Sequence, residues 1–251
     1  MKNIVILVSL SIFFFGCTKD WGTPTSRDYP VNALFTGLEA SGGFQVTMSD
    51  QVEDVVVTVG ELAHDRVVVK VVDGELQIGF KPNTNYSGKA KAVIPAAVLR
   101  KLDLSGASSF TGDLLGEHVA VDLSGASVLR GDVTADDIQM DLSGASIYSG
   151  YAKSQKFDVA LSGASSVTVG GYCQRRMEID LSGGSQLEAA RLETMAVQGH
   201  MSGASKADVT VCSDLNVELS GGSMLTYGAI SDECHPVVNC PASGGSVVKP
   251  R

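Results

Sequence analysis

The sequence is poor in positive charge, proline and aromatic residues. Its 251 residues include 19 Lys and Arg against 28 Asp and Glu, which gives a net charge of −9 at neutral pH. Because nucleic-acid-binding proteins need a basic surface, this balance argues against nucleic acid as a partner. No phosphate loop or dinucleotide fingerprint occurs. No apolar run after residue 16 is long enough to span a membrane.

A five-residue motif recurs through the C-terminal three-fifths of the chain. One copy is LSGAS at residues 142–146. A worn final copy begins at Ser243, 23 residues after the copy before it. Repetition at this period indicates a solenoid of stacked units. The other copies follow one another at steps of 19, 19, 19, 20, 20 and 18 residues, and their first serines are Ser105, Ser124, Ser143, Ser162, Ser182, Ser202 and Ser220.

Each repeat carries alternating apolar residues before and after the motif. A period of two is typical of a strand with one buried face, and no stretch of the repeats shows apolar residues at helical spacing. Such short units leave no room for a crossover helix between strands. The sequence therefore predicts an all-β fold, a parallel β-helix of about eight coils with 18–20 residues per coil and with coils ~4.8 Å apart.

The small residues of the motif form the predicted corners of the coils. A tight corner needs a residue that tolerates positive φ, and glycine does so without steric cost. We expect the neighbouring serine hydroxyls to bond to the backbone or to each other along the stack. A nucleophilic serine is the alternative, but repetition of the motif favours a structural role. The predicted corner glycines are Gly106, Gly125, Gly144, Gly163, Gly183, Gly203 and Gly221.

The N-terminus has the features of an export signal. Residues 1–16 combine a lysine with a nearly unbroken apolar run, and Cys17 follows directly. Residues 14–17 (FFGC) resemble the lipobox of bacterial lipoproteins, which more often has Leu and then a small residue at the first two positions. The resemblance implies cleavage after residue 16 and a stable lipid anchor on Cys17; an ordinary secretory signal is the alternative. The polar residues 17–30 are expected to form a lipidated tether.

Four cysteines remain if Cys17 is acylated, and export would permit disulfides among them. Cys173 and Cys212 lie two predicted coils apart, so ~9.6 Å would separate them, beyond the ~7 Å limit for a bridge. Cys234 and Cys240 bracket a short loop and are the favoured pair, as a staple of the C-terminal cap. Cys212–Cys234 is the alternative. The cysteines and histidines offer too few grouped ligands for a zinc site.

Residues 31–100 lack the repeat but have the alternation of β structure. Apolar residues alternate on both sides of Asp73-Gly74, which predicts a hairpin. We expect this region to be an N-terminal β cap for the coils of residues 101–229, because an open edge there would promote aggregation. A last coil and a C-terminal cap are predicted at 230–251, so that residues 31–251 form one domain.

The order of these motifs resembles a known family. Residues 35–46 (FTGLEASGGFQV) precede the hairpin, Ile94-Pro95 follows it, and residues 102–108 (LDLSGAS) open the repeats. This arrangement, over about residues 31–250, is similar to the head-GIN-domain family of auto-transporter adhesins, mostly exported proteins and lipoproteins of Bacteroidetes-type bacteria. Residues 43–45 (GFQ) depart from Gly-Ile-Asn at two positions. The resemblance implies a β-helical fold, an envelope location and adhesion, with no catalytic residues to carry over.

Acidic residues precede the leucine of most repeats. The column includes Asp103, Asp122 and Asp141, and Asp180 and Glu218 continue it. Stacked carboxylates repel each other by roughly 1 kcal/mol per pair even in water, so the column could bind a cation, and oxygen ligands suit Ca²⁺. Hydration and hydrogen bonds from corner groups are the alternative. The glycine-rich calcium motif of repeat toxins is absent, and no other cofactor is predicted.

Other polar and aromatic side chains suggest further sites. Asp180, His200, Glu218 and nearby Ser202 have the composition of a Ser-His-acid set, but no GxSxG elbow is present. Residues 175–176 (RR) are predicted to be a solvated pair, with a clamp for sugar or carboxylate as the alternative. The aromatic side chains left outside the inward columns could stack on sugars, and these are Trp21, Tyr86, Tyr151 and Tyr172.

These features together predict a non-enzymatic, lipid-anchored cell-envelope protein. Its β-helical head would have an adhesin-like binding role or a scaffolding role. The protein would contact the outer membrane through acylated Cys17, on the periplasmic or surface face, and would bind glycans or envelope proteins, in an oligomeric state left open. The alternative is a polysaccharide-acting enzyme of the pectinase or lyase type, because β-helices often host such enzymes. A lipid-binding role lacks a sequence sign of a cavity.

Overall fold

The computed structural model describes residues 20–251. The predicted signal peptide (residues 1–16) and lipidation site (Cys17) lie outside these residues. The described chain is a β-solenoid of about eight turns with 61% strand, which confirms the prediction of an all-β parallel β-helix. Within residues 20–251, no helix is long and apolar enough to cross a membrane.

The described chain contains 21 strands and one short 3₁₀ helix, Glu61–Arg66. In chain order the strands are β1 (Pro24–Tyr29), β2 (Gly37–Ala40), β3 (Phe44–Ser49), β4 (Val55–Gly60), β5 (Val67–Val72), β6 (Glu75–Phe80), β7 (Ala90–Pro95), β8 (Lys101–Leu104), β9 (Ser109–Thr111), β10 (Leu114–Leu115), β11 (His118–Leu123), β12 (Val128–Arg130), β13 (Val133–Thr134), β14 (Asp137–Leu142), β15 (Ile147–Leu161), β16 (Ser166–Leu181), β17 (Gln186–Met201), β18 (Lys206–Leu219), β19 (Met224–Ala229), β20 (Val237–Asn239) and β21 (Val247–Pro250).

Equivalent strands of successive coils pair in parallel, one coil apart. Leu142 of β14 lies opposite Leu123 of β11 on one side and Leu161 of β15 on the other. After the corner, Phe110 and Tyr148 flank Leu129 in the same way, and all three are fully buried. Burying one such side chain contributes about 1.5–3 kcal/mol. The core therefore runs along the solenoid as columns of equivalent apolar positions.

The motif glycines lie at the corners of the coils. All seven predicted corner glycines have positive φ, from 61° at Gly106 to 75° at Gly221. The amide of Ala145 donates a 2.7 Å hydrogen bond to the carbonyl of Gly125, and other corners repeat this contact. The buried hydroxyl of Ser146 donates to the carbonyl of Ser143 at 2.9 Å. Successive corners thus stack backbone on backbone, which leaves no room for a side chain at the glycine.

Part of the N-terminal third belongs to the solenoid itself. β2 pairs in parallel with β6 on one side and β8 on the other, and β3 pairs likewise with β7 and β9. β2 and β3 thus form a coil between the first repeat and the coil of β6 and β7. The corner of this inserted coil is Ser41-Gly42-Gly43, with a φ of 78° at Gly42. It is a further copy of the motif, in which Ala40 and Phe44 stand for leucine and serine.

Antiparallel strands close the N-terminal end of the stack. β4 pairs with β7, β5 with β6, and β1 with β4. Val55, Val57 and Val59 of β4 are fully buried and cover the core. The prediction of a tether over residues 17–30 is wrong for its second half, because residues 24–29 form β1. This strand pairs with β4 and so covers the hydrogen-bonding groups that would otherwise be free at the edge of β4. Trp21, which precedes β1, is buried beside Tyr86.

A disulfide joins the C-terminal coil to the coil beside it. Cys212 and Cys234 are bonded, with Cα atoms 4.7 Å apart. The favoured Cys234–Cys240 pair is therefore wrong, and the alternative pair forms. The reason is register, because β20 pairs with β18 and this brings Cys234 next to Cys212. Cys240 lies further along the last coil, with its Sγ 3.6 Å from the carbonyl oxygen of Leu215.

Candidate ligand-binding groove

The regular step of the solenoid changes at one edge of β16. Residues 154 and 156 of β15 lie opposite residues 173 and 176 of β16, so β16 has one extra residue there. This bulge accommodates the extra residue of the 20-residue step from Ser162 to Ser182. Bulges redirect side chains and are common next to functional sites. Gln174 and Arg175 of the bulge are both exposed.

Two adjoining depressions lie on this bulge, and together we call them the bulge groove. The smaller, with a volume of about 190 Å³, includes Lys153, Tyr172 and Gln174 and shares Asp136 and Gln155 with the larger. Strands β14, β15 and β16 supply most of these residues, so the bulge groove crosses three successive coils. The larger depression has a volume of about 400 Å³ and is lined by Asp136, Asp137, Gln155, Lys156, Arg175 and Arg176.

Tyr172 and Lys153 form one end of the bulge groove. They face each other on paired strands, and Nζ of Lys153 lies 5.5 Å from the centre of the tyrosine ring, a cation–π distance. Tyr172 is 37% exposed. Its interaction with the side chain of Tyr172 raises the pKa of Lys153 above its ordinary value, and a lysine is cationic at neutral pH even without such a shift.

Some cations at the other end are partly neutralised on their own strands. Lys156 forms an ion pair with Asp158, two residues further along β15. Nη2 of Arg176 lies 3.6 Å from Oε2 of Glu178. Its Nε, however, is shielded from solvent and has no hydrogen-bond partner within residues 20–251. Arg176 therefore keeps one donor that the described chain does not satisfy.

Lys153 and Arg175 make no ion pair with any residue from 20 to 251. The carboxylates of the bulge groove are engaged: Oδ1 of Asp136 accepts a 3.0 Å hydrogen bond from Gln155, and Asp137 contacts a histidine of β11 at 3.1 Å. The lining holds four cationic side chains and two carboxylates, and Asp158 and Glu178, the partners of Lys156 and Arg176, lie beside it. Lys153 and Arg175 are therefore the cations of the groove without a carboxylate partner within residues 20–251.

The predicted acidic column is aligned in the structure. Asp103, Asp122 and Asp141 lie opposite one another on adjacent strands, and Glu39 of the inserted coil extends the column. Burial raises the pKa of Asp103, with a further contribution from Glu39. Within residues 20–251, no three His, Cys, Asp or Glu side chains are grouped so as to hold a metal ion. Cation binding by the column stays a prediction.

Ala160 interrupts the acidic column. It lies between Asp141 of β14 and Asp180 of β16 in the strand register. Because the side chain of Ala160 is small, a depression of about 290 Å³ lies at this position. Asp122, Asp141 and Asp180 line it. This surface is acidic, in contrast to the bulge groove.

The residues of the Ser-His-acid set do not form a catalytic arrangement. Nδ1 of His200 lies 3.5 Å from Oε2 of Glu218. The hydroxyl of Ser202 donates instead to the carbonyl of Leu181, at 3.5 Å. The serine therefore contributes to the corner, like the equivalent Ser182 and Ser243.

The four predicted stacking residues have different roles. Trp21 is 8% exposed, and its ring centre lies 5.7 Å from that of Tyr86, so this pair packs the cap. Tyr151 is 56% exposed and its ring lies over Gly170, where a Cβ would be 2.9 Å from it. Only Tyr172 of the four lines the bulge groove.

Sequence reasoning missed most of the polar residues of the bulge groove: Asp136, Asp137, Lys153, Gln155, Lys156 and Gln174. Their convergence depends on the bulge, and its signal in the sequence is the change from a 19-residue to a 20-residue step at Ser162. The arginine pair at residues 175–176 is the part of the groove for which the sequence suggests a clamp for sugar or carboxylate. The structure separates the two arginines, because Arg176 pairs with Glu178 whereas Arg175 stays exposed.

Comparison with known proteins gives the family. Residues 34–229 match the family described as "Putative auto-transporter adhesin, head GIN domain". The chain belongs to this family. The resemblance seen in residues 35–46 and 102–108 is thereby confirmed. No curated protein matches the sequence.

Solved structures share the fold of this head GIN protein at low sequence identity. A "putative adhesin" from Parabacteroides merdae aligns over 92% of this chain and 97% of its own, with a TM-score of 0.81 and 16% identity. A "putative adhesin" from Parabacteroides distasonis aligns over 92% and 98%, with a TM-score of 0.75 and 21% identity. A "putative lipid binding protein" from the same species aligns over 92% and 97%, with a TM-score of 0.73 and 16% identity. These similarities show the fold alone.

Proposed function

We propose that this head GIN protein is an exported, lipid-anchored protein of the bacterial envelope, and that its solenoid binds a ligand without converting it. The family is named for adhesins, and solved structures of the same fold are described as adhesins and as a lipid-binding protein. The apolar leader followed by Cys17 supports export and lipidation.

The bulge groove is the observation that carries the binding role. It is open to solvent and built on paired strands, and it presents the unpaired cations Lys153 and Arg175 beside the exposed ring of Tyr172. Lys153, Tyr172, Lys156 and Arg176 lie on paired strands, whose backbone is fixed better than that of a loop, whereas Gln155, Gln174 and Arg175 lie at the bulge between them.

The same groove is a poor candidate for hydrolysis or elimination of a sugar bond. General acid–base catalysis needs a carboxyl or imidazole group free to exchange a proton with the substrate. Asp136 accepts a hydrogen bond from Gln155, and Asp137 contacts His118. Several corner serine hydroxyls donate to backbone carbonyls, as Ser146 does to Ser143. Hydrogen bonds of this kind also occur in catalytic sites, so the preference for binding rests on the family comparison, whereas the polysaccharide-acting alternative rests on analogy of fold alone.

Anchoring is tested by fractionating cells that produce the full-length chain or its Cys17→Ser variant. We expect the unaltered chain in the membrane fraction and the variant outside it. Cys240→Ser, which removes another cysteine, is the matched control and should leave the membrane association unchanged. Equal membrane retention of Cys17→Ser would contradict lipid anchoring.

Binding is tested with the full-length protein in detergent and a panel of envelope and host polysaccharides, with and without Ca²⁺. Bound protein and newly formed reducing or unsaturated sugar ends are measured together. We expect binding without release of ends. Release would favour the enzyme, and the absence of any binding would contradict the proposed role. Dependence on Ca²⁺ would support the acidic column.

A further inference from the structure

We infer that the bulge groove is a binding site for a carboxylated glycan, an oligosaccharide that carries uronic acid groups. This inference rests on the proposed binding function and names its ligand class. The three features that point to it are cations without an ion-pair partner, amide side chains between them and an exposed aromatic ring, all on one surface.

The cations select an anionic ligand. Lys153 and Arg175 lie on neighbouring coils and have no acidic partner within residues 20–251. Two positive groups on successive strands can contact two carboxylates of one extended chain. An arginine can also bind a carboxylate with two parallel hydrogen bonds. The unsatisfied Nε of Arg176 adds a further donor to this side of the groove.

The neutral side chains suit the hydroxyl groups of a sugar. Gln155 and Gln174 each carry an amide, which both donates and accepts hydrogen bonds. Gln155 is held in place by Asp136, at 3.0 Å. The exposed part of the Tyr172 ring offers an apolar surface for the C–H groups of a sugar ring. Cations alone would suit any anion. The amide side chains and the aromatic ring favour a glycan among the possible anionic ligands.

The surroundings disfavour nucleic acid and anionic membranes as ligands. The carboxylates of Asp158 and Glu178 lie next to the groove on the same strands, and the acidic column continues beyond them. A densely charged polyphosphate or an anionic bilayer would be repelled by this surface. A glycan with spaced carboxylates can place its charges on Lys153 and Arg175 and keep neutral groups elsewhere.

The test measures binding of short oligosaccharides to the full-length protein in detergent micelles by titration calorimetry. The probes are oligomers of galacturonate, of mannuronate and of hyaluronan, together with fully methyl-esterified galacturonate oligomers. We expect at least one acidic oligomer to bind, with an affinity that falls as salt rises. If galacturonate is bound, its ester should bind about tenfold or more weakly, because the charge-assisted bonds are lost.

Variants locate the site. Arg175→Ala and Tyr172→Ala should each weaken binding about tenfold, whereas Tyr172→Phe keeps the ring and should retain most of the affinity. Arg130→Ala removes an exposed arginine from β12, outside the groove, and should change nothing. The melting temperature of each variant is measured alongside, and we expect only small changes because these residues are exposed.

Each contrary outcome has a separate meaning. If none of the acidic oligomers binds, or if Arg175→Ala and Tyr172→Ala bind them normally, the inference about the bulge groove is wrong. If the ester binds as well as the acid, a carboxylated ligand is wrong while a glycan-binding head stands. If binding is accompanied by newly formed unsaturated or reducing ends, the non-enzymatic function is wrong while the ligand class stands.

Discussion

Nζ of Lys101 lies 2.6 Å from Oε1 of Glu75, although the two residues are not on adjacent strands. Lys101 is on β8 and Glu75 on β6, and β2 lies between these strands in the sheet. Gly37 of β2 lies between them in register. Because it has no side chain, the two long side chains meet above it, and a Cβ there would be 2.8 Å from Cγ of Glu75. At this contact the order of the coils differs from the order of the strands in the sequence, because β2 lies between β6 and β8 although it precedes both in the chain.

The two glycines of one corner should respond differently to alanine. Gly183 has a φ of 69°, and a Cβ there would lie 2.7 Å from the carbonyl oxygen of Gly163. Gly183→Ala should therefore lower the free energy of unfolding by about 2 kcal/mol or more. Gly184→Ala is the matched control, because its Cβ would meet that oxygen at 3.7 Å. It should be neutral or stabilise by up to about 1 kcal/mol. Denaturant titration compares them, and equal losses would contradict the stacked-corner account.

Loss of the disulfide should destabilise the C-terminal coil. Cys212 and Cys234 are 22 residues apart in sequence, and closing a loop of this length is worth about 3 kcal/mol by restricting the unfolded chain. Cys212→Ser should therefore unfold at lower denaturant concentration, and reductant should have the same effect on the unaltered protein. Cys240→Ser should keep the bond. Peptide mapping under non-reducing conditions checks the pairing, and a Cys234–Cys240 peptide would refute it.

Neutralising the middle of the acidic column should stabilise the protein at neutral pH. Burial, reinforced by Asp103 and Asp141, raises the pKa of Asp122. The folded state therefore takes up this proton before the unfolded state, whose Asp pKa is about 3.9. The contribution of Asp122 to the free energy of unfolding therefore increases as the pH falls from the raised pKa of the folded state towards the pKa of the unfolded state. Asp122→Asn should raise the melting temperature at neutral pH, with a gain that shrinks on acidification. Asp50→Asn, in a turn, is the control; a gain independent of pH would contradict this origin.

Filling the interruption in the column should have the opposite effect. Ala160→Asp would place a carboxylate between Asp141 and Asp180, and repulsion should lower stability by about 1 kcal/mol. Ala160→Asn has nearly the same shape without the charge and should be close to neutral. The difference between the two variants should diminish at high salt. If melting experiments show the same deficit for both, the cause is steric and the electrostatic account fails.

The repeats could be predicted in detail because they depend on local information. Leu142 pairs with Leu123 and Leu161 at the step that the motif itself displays. The inward and outward positions then follow from strand alternation. The inserted corner at Ser41-Gly42-Gly43 escaped this reasoning, because Ala40 and Phe44 replace the residues that mark other copies.

The candidate site was only partly predictable. Residues 175–176 and Tyr172 attract attention by their chemistry alone. Their convergence with Lys153 and Gln155 depends on a one-residue bulge between β15 and β16. The 20-residue step shows that a residue is added in that coil, but not at which of its edges.

The amino-acid sequence by itself determined the coil length, the buried columns and the glycine corners, since each coil pairs with an equivalent one at a fixed step. Only the tertiary structure decided that β2 lies between β6 and β8, that β1 joins the cap, that Cys234 bonds to Cys212 and that the bulge groove forms. These features depend on contacts between non-equivalent segments. Several strands with similar alternation could occupy such places, and packing against the finished stack selects among them.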